Sequence, residues 1–183
     1  MSSNTEVINF HSGKKEYRSL CNFYENHIFL DGIKFDSGEH AFHFMKYKLL
    51  SEDCEDYLRS NILREYSDIF SSPSILVKEN DIKKAGGKKG LKLSDDEIMK
   101  WDEISTDIQE DICRYKLLND LNVREDLKKS DNKILVYYAL RCSTPNVQSK
   151  FWKGKCIIIN EEIIIIGGNK LGKIWMKIRD EIN

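Results

Sequence analysis

Gly38-Glu39-His40-Ala41-Phe42-His43-Phe44-Met45-Lys46 places an acid and an amine two turns apart on what its spacing predicts to be one helix. Residues i and i+7 share a helical face. Glu39 and Lys46 therefore flank one small volume, with His43 between them, one turn from each. A carboxylate, an imidazole and an ammonium around one pocket suit bond cleavage by proton transfer or nucleophilic attack. The same spacing also fits a surface helix laced by a Glu/Lys pair. Ser37 is placed to cap the helix, which leaves Glu39 in the first turn, where the dipole favours a negative charge.

Upstream of this helix the chain reads as extended, with Val7-Ile8-Asn9-Phe10, Tyr24 to Leu30 and Ile33-Lys34-Phe35 separated by turn residues. Asp31-Gly32 between apolar runs predicts a tight hairpin. Downstream, Asp53 to Phe70 carries Tyr57, Leu58, Ile62, Tyr66 and Ile69 at near-helical spacing, and Ser71-Ser72-Pro73 ends that run. Lys83 to Lys92, with five lysines among three glycines, reads as a flexible basic loop able to steer a phosphate or a nucleic-acid strand. Ser94-Asp95-Asp96-Glu97 forms a capping box for a short helix ending near Trp101. Ile104, Ile108, Ile112 and Tyr115 then mark the inner face of a long amphipathic helix, and Val123 to Lys129 a shorter one.

Lys133 to Leu140 is rich in strand formers. Cys156-Ile157-Ile158-Ile159 and Ile163-Ile164-Ile165-Ile166 predict a buried hairpin covered by other structure. After Gly167-Gly168, Asn169 is placed to cap a last helix with Leu171, Ile174, Trp175 and Ile178 on one face. Such a strand-to-helix turn can offer backbone N–H groups to an anion, or can serve a tight turn and close packing through its glycines. The order of elements predicts an α+β, mainly helical single domain over residues 1–183, with small antiparallel β elements.

Composition agrees with one soluble globular domain, since 183 residues with 40% hydrophobic, 32% charged and two prolines suffice for a core. No apolar run reaches transmembrane length, and the Met1–Thr5 start lacks the charged-then-apolar pattern of a signal peptide, so a cytoplasmic protein without membrane association is expected. Five scattered cysteines without a CxxC pair argue for reduced thiols rather than a disulfide framework or zinc ribbon. A net charge of −1 confines any nucleic-acid contact to a local patch. His40 and His43 stand at i, i+3 beside Glu39 without the HExxH spacing or a further ligand cluster, so no metal site and no cofactor are expected.

Four blocks in order carry a resemblance: Leu20-Cys21-Asn22-Phe23-Tyr24, the Glu39-His40 to Lys46 helix, Trp101-Asp102, and Gly168-Asn169-Lys170-Leu171-Gly172. Together they resemble the NADAR, or YbiA-like, family over nearly the whole chain, from about Phe10 to Arg179. The resemblance implies a YbiA-like fold and an N-glycosidase that cleaves the bond between a ribose carbon and an amine or base nitrogen. It implies Glu39 and Lys46 as catalytic residues. Substrate contacts fall to Asn22, Phe23, Tyr24, His40, Trp101, Asp102, Gly168, Asn169 and Gly172, with Trp101 stacking on a base and the glycine turn holding phosphates or ribose.

Family members resembling this chain act on ADP-ribose attached to guanine bases or on early riboflavin-pathway intermediates. The basic stretch favours the first, which implies ADP-ribosylated DNA or RNA as substrate and an ADP-ribosyltransferase as functional partner. Glu39 suits stabilisation of an oxocarbenium-like sugar or activation of water. Lys46 suits either an ammonium anchor or, once desolvated, an amine nucleophile. The chain departs from the family pattern where acids are usual. Leu135-Val136-Tyr137-Tyr138-Ala139 and Gln148-Ser149-Lys150-Phe151-Trp152-Lys153-Gly154 contain no Asp or Glu, which keeps open a non-catalytic module that senses NAD or ADP-ribose. With no metal constellation in the sequence, treatment with EDTA is expected to leave release of ADP-ribose from an ADP-ribosylated guanosine oligonucleotide unchanged; loss restored by a divalent cation overturns this.

Overall fold

A computed structural model describes residues 6–182, so the Met1–Thr5 start lies outside the described residues. In chain order these form β1 (Val7–Phe10), a 3-10 turn (Arg18–Leu20), β2 (Glu25–Leu30), β3 (Ile33–Ser37) and α1 (Gly38–Glu52). There follow α2 (Tyr57–Asp68), α3 (Glu79–Gly86), α4 (Asp95–Asn119), α5 (Leu121–Lys129) and β4 (Ile134–Tyr137). The last described elements are the short α6 (Thr144–Val147), β5 (Lys155–Ile159), β6 (Glu162–Ile166) and α7 (Lys170–Ile182). The fold is α+β and mainly helical, with the strands in pairs. Two pairs are antiparallel as expected, whereas β1 with β4 is parallel. Among the described residues no helix is long and apolar enough to cross a membrane. The chain gathers into two compact units, one from the central segment Glu25–Lys116 and one from the segments on either side of it.

In the central-segment unit, Asp31 and Gly32 take the positive φ values (51° and 77°) of a two-residue hairpin turn. The resulting register sets Ile28 opposite Phe35, both fully buried. Ser37 ends β3 and caps α1, its Oγ accepting from the His40 N–H at 3.4 Å. Ala41, Phe42, Phe44, Met45, Tyr47 and Leu50 are all buried, so α1 is apolar around most of its circumference and belongs inside a core.

Against α1, α2 turns Leu63 and Ser67 inward, followed by Phe70. Tyr57, Leu58 and Ile62, part of the expected apolar face, are exposed. The rings decide this: Tyr66 and Phe70 meet Tyr47 with centroids 4.8 and 5.9 Å away, fixing which side of α2 faces α1.

The expected flexible basic loop is helical through Gly86. Glu79 pairs with Lys83 at 3.3 Å and Asp81 with Lys84 at 3.9 Å, spacings that support a helix. Ser94 and Glu97 form the expected capping box, with N–H···O distances of 2.8 and 3.2 Å. The short and long helices expected after it are a single α4, since no glycine or proline interrupts the run. Its inward row is Trp101, Ser105, Gln109, Ile112, Cys113 and Lys116, while Ile104 and Ile108 lie on the flank. Ser105 and Gln109 in that row are polar, so an inventory of apolar residues does not register it.

In the other unit, Ile134 N–H donates to Glu6 O at 2.9 Å and Tyr138 N–H to Phe10 O at 3.0 Å, so alternate amides of β4 face β1. The opposite edge of β4 is closed by α7. Asn169 Oδ1 accepts from Tyr137 N–H and its Nδ2 donates to Leu135 O, both at 2.9 Å, and Met176 Sδ lies 3.4 Å from Leu135 N. Asn169 therefore does not cap α7 with its side chain, as expected from sequence, but finishes the sheet edge. A Cβ on Gly172 would stand 2.3 Å from Leu135 O, so the helix lies directly on the strand.

The isoleucine hairpin forms with Asn160-Glu161 at its turn, yet it is not buried: Ile158 is 72% and Ile159 48% exposed. An unbroken isoleucine run has strand propensity but no polar alternation to announce an outer face.

Asn169→Ala leaves a buried donor and acceptor unpaired and puts alanine at φ 47°, so it is expected to lower unfolding stability by about 2–4 kcal/mol. A denaturant midpoint within error of wild type contradicts the edge-closing role.

Candidate functional site

The polar residues of α1 sort by what their atoms touch. His40 Nε2 lies 2.9 Å from Leu76 O, and its Nδ1 lies 2.9 Å from Ser37 Oγ. A carbonyl only accepts, so the proton sits on Nε2 and Nδ1 accepts from the serine hydroxyl. Both ring nitrogens are thus occupied within the protein, and His40 pins residue 76 beside the start of α1 instead of presenting its ring to a ligand. His43 Nε2 lies 3.2 Å from Glu39 Oε1. Burial lowers the His43 pKa below 6.5 despite the carboxylate, so the ring is neutral near pH 7.

Lys46 is 7% exposed. Its Nζ donates to Gly86 O and lies 4.6 Å from the centre of the Tyr47 ring. Burial lowers its pKa from 10.5 to about 8, against the opposing pull of Glu39. Seven residues of helix separate the Glu39 and Lys46 backbones by about 10 Å, but side chains lean toward the helix N-terminus, which tips the lysine stem toward the acid.

A cleft of ≈ 540 Å³ opens at the lysine, a volume suited to a small-molecule ligand. Lys46 and Tyr47 line it from α1, Gly86 and Gly87 from the end of α3, Lys88 and Lys92 from the following loop, and Asp95, Ile98 and Trp101 from α4. Trp101 packs edge-on against Phe42 at 4.9 Å and is 8% exposed, so most of its indole is core and a strip meets the cleft. Asp102 is exposed and does not line the cleft, and neither does Glu39.

Two cleft features are not evident as such in the sequence. One is Tyr47, adjacent to the motif lysine. The other is Gly86, whose carbonyl receives the amine and on which a Cβ would stand 2.2 Å from the His43 ring. The Gly86-Gly87 pair behind two lysines is the available signal for a close approach.

The remaining expected site residues belong to the other unit. Asn22 and Phe23 are buried. Tyr24 accepts from Asn122 Nδ2 at 2.9 Å and lines a polar hollow of ≈ 270 Å³ with Lys15, Arg18 and Lys129. At the glycine turn, the N–H groups of Gly168, Asn169 and Lys170 donate to the carbonyls of Lys150, Lys153 and Phe151 at 2.7, 3.1 and 3.2 Å. A Cβ on Gly168 would stand 2.2 Å from Phe151 O. The donors expected to face an anion are taken up by this backbone, and Gly168, Asn169 and Gly172 serve close packing.

No protein-family model matches the chain, and no curated protein sequence does. Among solved structures it is similar to the NMR structure of the E. coli protein YbiA, with a TM-score of 0.60 and 19% identity over 97% of this chain and 84% of that one. The chain has a YbiA-like fold.

The Lys46 pKa has a stability consequence whose sign is fixed. Below about 8 the folded protein carries a buried ammonium; between about 8 and 10.5 only the unfolded chain keeps that proton, so stability rises with pH. Relative to Lys46→Met, wild type is therefore expected to gain stability as pH rises through this window, measured by denaturant unfolding. A pH-independent difference overturns the assignment.

Proposed function

We propose that this chain is an N-glycosidase of the NADAR type that hydrolyses the bond between the ribose anomeric carbon and a guanine nitrogen in ADP-ribosylated nucleic acid. The observation that carries this reading is the cleft, where one desolvated amine is joined by two aromatic residues and two further lysines. The fold likeness and the motif resemblance support the same class. An ADP-ribosyl group needs partners for a diphosphate, an adenine and a reacting sugar carbon. Lys88 and Lys92 suit the phosphates, the strip of Trp101 that meets the cleft suits the base through stacking worth roughly 1–3 kcal/mol, and Lys46 suits the sugar.

In this mechanism the free amine of Lys46 attacks the anomeric carbon as the bond to the guanine nitrogen breaks. That nitrogen leaves with the bonding electron pair and takes up a proton, restoring the base. The sugar adduct opens to an imine, and water hydrolyses it to free ADP-ribose and the original amine. Glu39, which does not line the cleft but acts on Lys46 electrostatically from the same helix, serves from a distance the positive charge that builds on the sugar as the bond lengthens. Alternatively, Lys46 stays charged as an anchor and Glu39 activates water directly.

The second reading is a sensor that binds ADP-ribose without turnover. It is favoured by Tyr138 and Lys150, which stand in the segments where the family pattern carries acids. Incubation with ADP-ribosylated guanosine oligonucleotide separates the readings: the enzyme releases ADP-ribose, the sensor binds without release. Glu39→Gln is expected to reduce turnover by more than about 10²-fold with binding within a few-fold, because it removes charge but keeps shape. Borohydride added during turnover is expected to leave a ribose-derived mass on Lys46, and Lys46→Arg to be inactive. Near-normal turnover of Lys46→Arg without an adduct leaves the anchor mechanism alone.

A further inference from the structure

Four features of the central-segment unit meet at His43. Its Nε2 lies 3.2 Å from Glu39 Oε1. Its Nδ1 is buried without a hydrogen-bond partner. Its ring packs against Phe42 and Phe70, with centroids 5.6 and 5.5 Å away. Gly86 lies so close that a Cβ there would stand 2.2 to 2.3 Å from three ring atoms.

A neutral imidazole carries one proton. On Nδ1 that proton would point at no acceptor while the Nε2 lone pair faced the carboxylate oxygen; on Nε2 it makes a hydrogen bond to Glu39. The burial that keeps the ring uncharged near pH 7 removes the remaining choice. The charged and titratable groups acting on the ring are Glu39, Lys46 and His40, all from α1, while Phe70 follows α2 and Gly86 closes α3.

We propose that His43 is a positioning residue, a neutral Nε2–H donor wedged between Phe42, Phe70 and Gly86, which fixes the rotamer of the Glu39 carboxylate that the proposed glycosidase uses. The assignment rests on that functional reading for its catalytic consequence, though not for its geometry. A carboxylate on the first turn of a helix has several rotamers open to it, and one rigid donor one turn along removes most of them. Gly86 joins the acid to the amine: its missing side chain admits the His43 ring, and its carbonyl holds Lys46. The end of α3 therefore sets the position of both reacting groups at one residue.

Two measurements on the full chain test this. The first needs no activity: the ¹⁵N spectrum of the His43 ring near pH 7 is expected to show a protonated Nε2 and an unprotonated Nδ1, and Glu39→Leu is expected to mix the two tautomers. A ring protonated on Nδ1, or one indifferent to Glu39→Leu, overturns the proposal. The second is release of ADP-ribose. His43→Leu is expected to lower kcat roughly 10- to 100-fold with KM little changed. His43→Gln is expected to restore most of the loss, because its amide can donate from a place close to Nε2.

If both variants fold and fall equally, or if His43→Leu turns over like wild type, the positioning role is wrong. A wild-type protein that releases no ADP-ribose sinks the functional reading instead, and the ring spectrum then decides the proposal by itself.

Discussion

Burial of the Lys46 amine is the constraint around which the central-segment unit is arranged. A pKa lowered from 10.5 to about 8 corresponds to about 3 kcal/mol of disfavour for the ammonium, a large fraction of an ordinary domain's net stability. Such a group persists only where surrounding packing outweighs it. Here the packing is α1 itself, apolar on nearly all sides, and the rings of Phe42, Tyr47, Tyr66 and Phe70 around it. The Gly86 carbonyl supplies the amine with a hydrogen-bond acceptor without a second charge. A carboxylate in the same place would hold the amine as an ammonium, so a neutral acceptor is the choice consistent with an accessible free base.

The other unit handles its polar groups differently. There the liability is the outer edge of β4, and a side chain amide, a thioether and a glycine approach from α7 close it. The turn before α7 spends its N–H groups on the carbonyls of residues 150, 151 and 153. The same short motif that reads as an anion cradle is thus a piece of sheet-edge carpentry. Strand-to-helix glycine turns serve either purpose, and only the positions of nearby carbonyls separate them.

What the sequence displays depends on whether a feature is local. The Asp31-Gly32 turn, the Ser37 cap and the Ser94/Glu97 box are set by residues within a helical turn of one another, and each is legible. The inward faces of α2 and α4 are not, because Tyr47 selects one and the other carries the polar side chains Ser105 and Gln109 among its buried residues. The helical character of residues 83–86 hides behind a lysine-glycine composition that suits a loop equally well. Of the cleft lining, Lys46 and Trp101 are readable by spacing and resemblance, whereas Tyr47 is not, and Gly86 as a joint between His43 and Lys46 requires knowing that α3 ends against α1.

The arrangement of charge in the cleft bears on where an anionic ligand can sit if Lys46 is to act as a nucleophile. With a pKa near 8, about a tenth of the lysine is free amine at neutral pH. A phosphate in contact with it would favour the ammonium and suppress that fraction, while positive charge developing on a sugar would do the reverse. The loop lysines offer the phosphates partners other than Lys46, since Lys88 and Lys92 line the same cleft. In the proposed complex, a diphosphate held by those two and a ribose turned toward Lys46 would keep the anion away from the amine. A ligand whose phosphate reached Lys46 itself would convert the same residue into an anchor. On the proposed function, whether Lys46 attacks or merely holds depends on the ligand's phosphate-to-carbon spacing as much as on the protein.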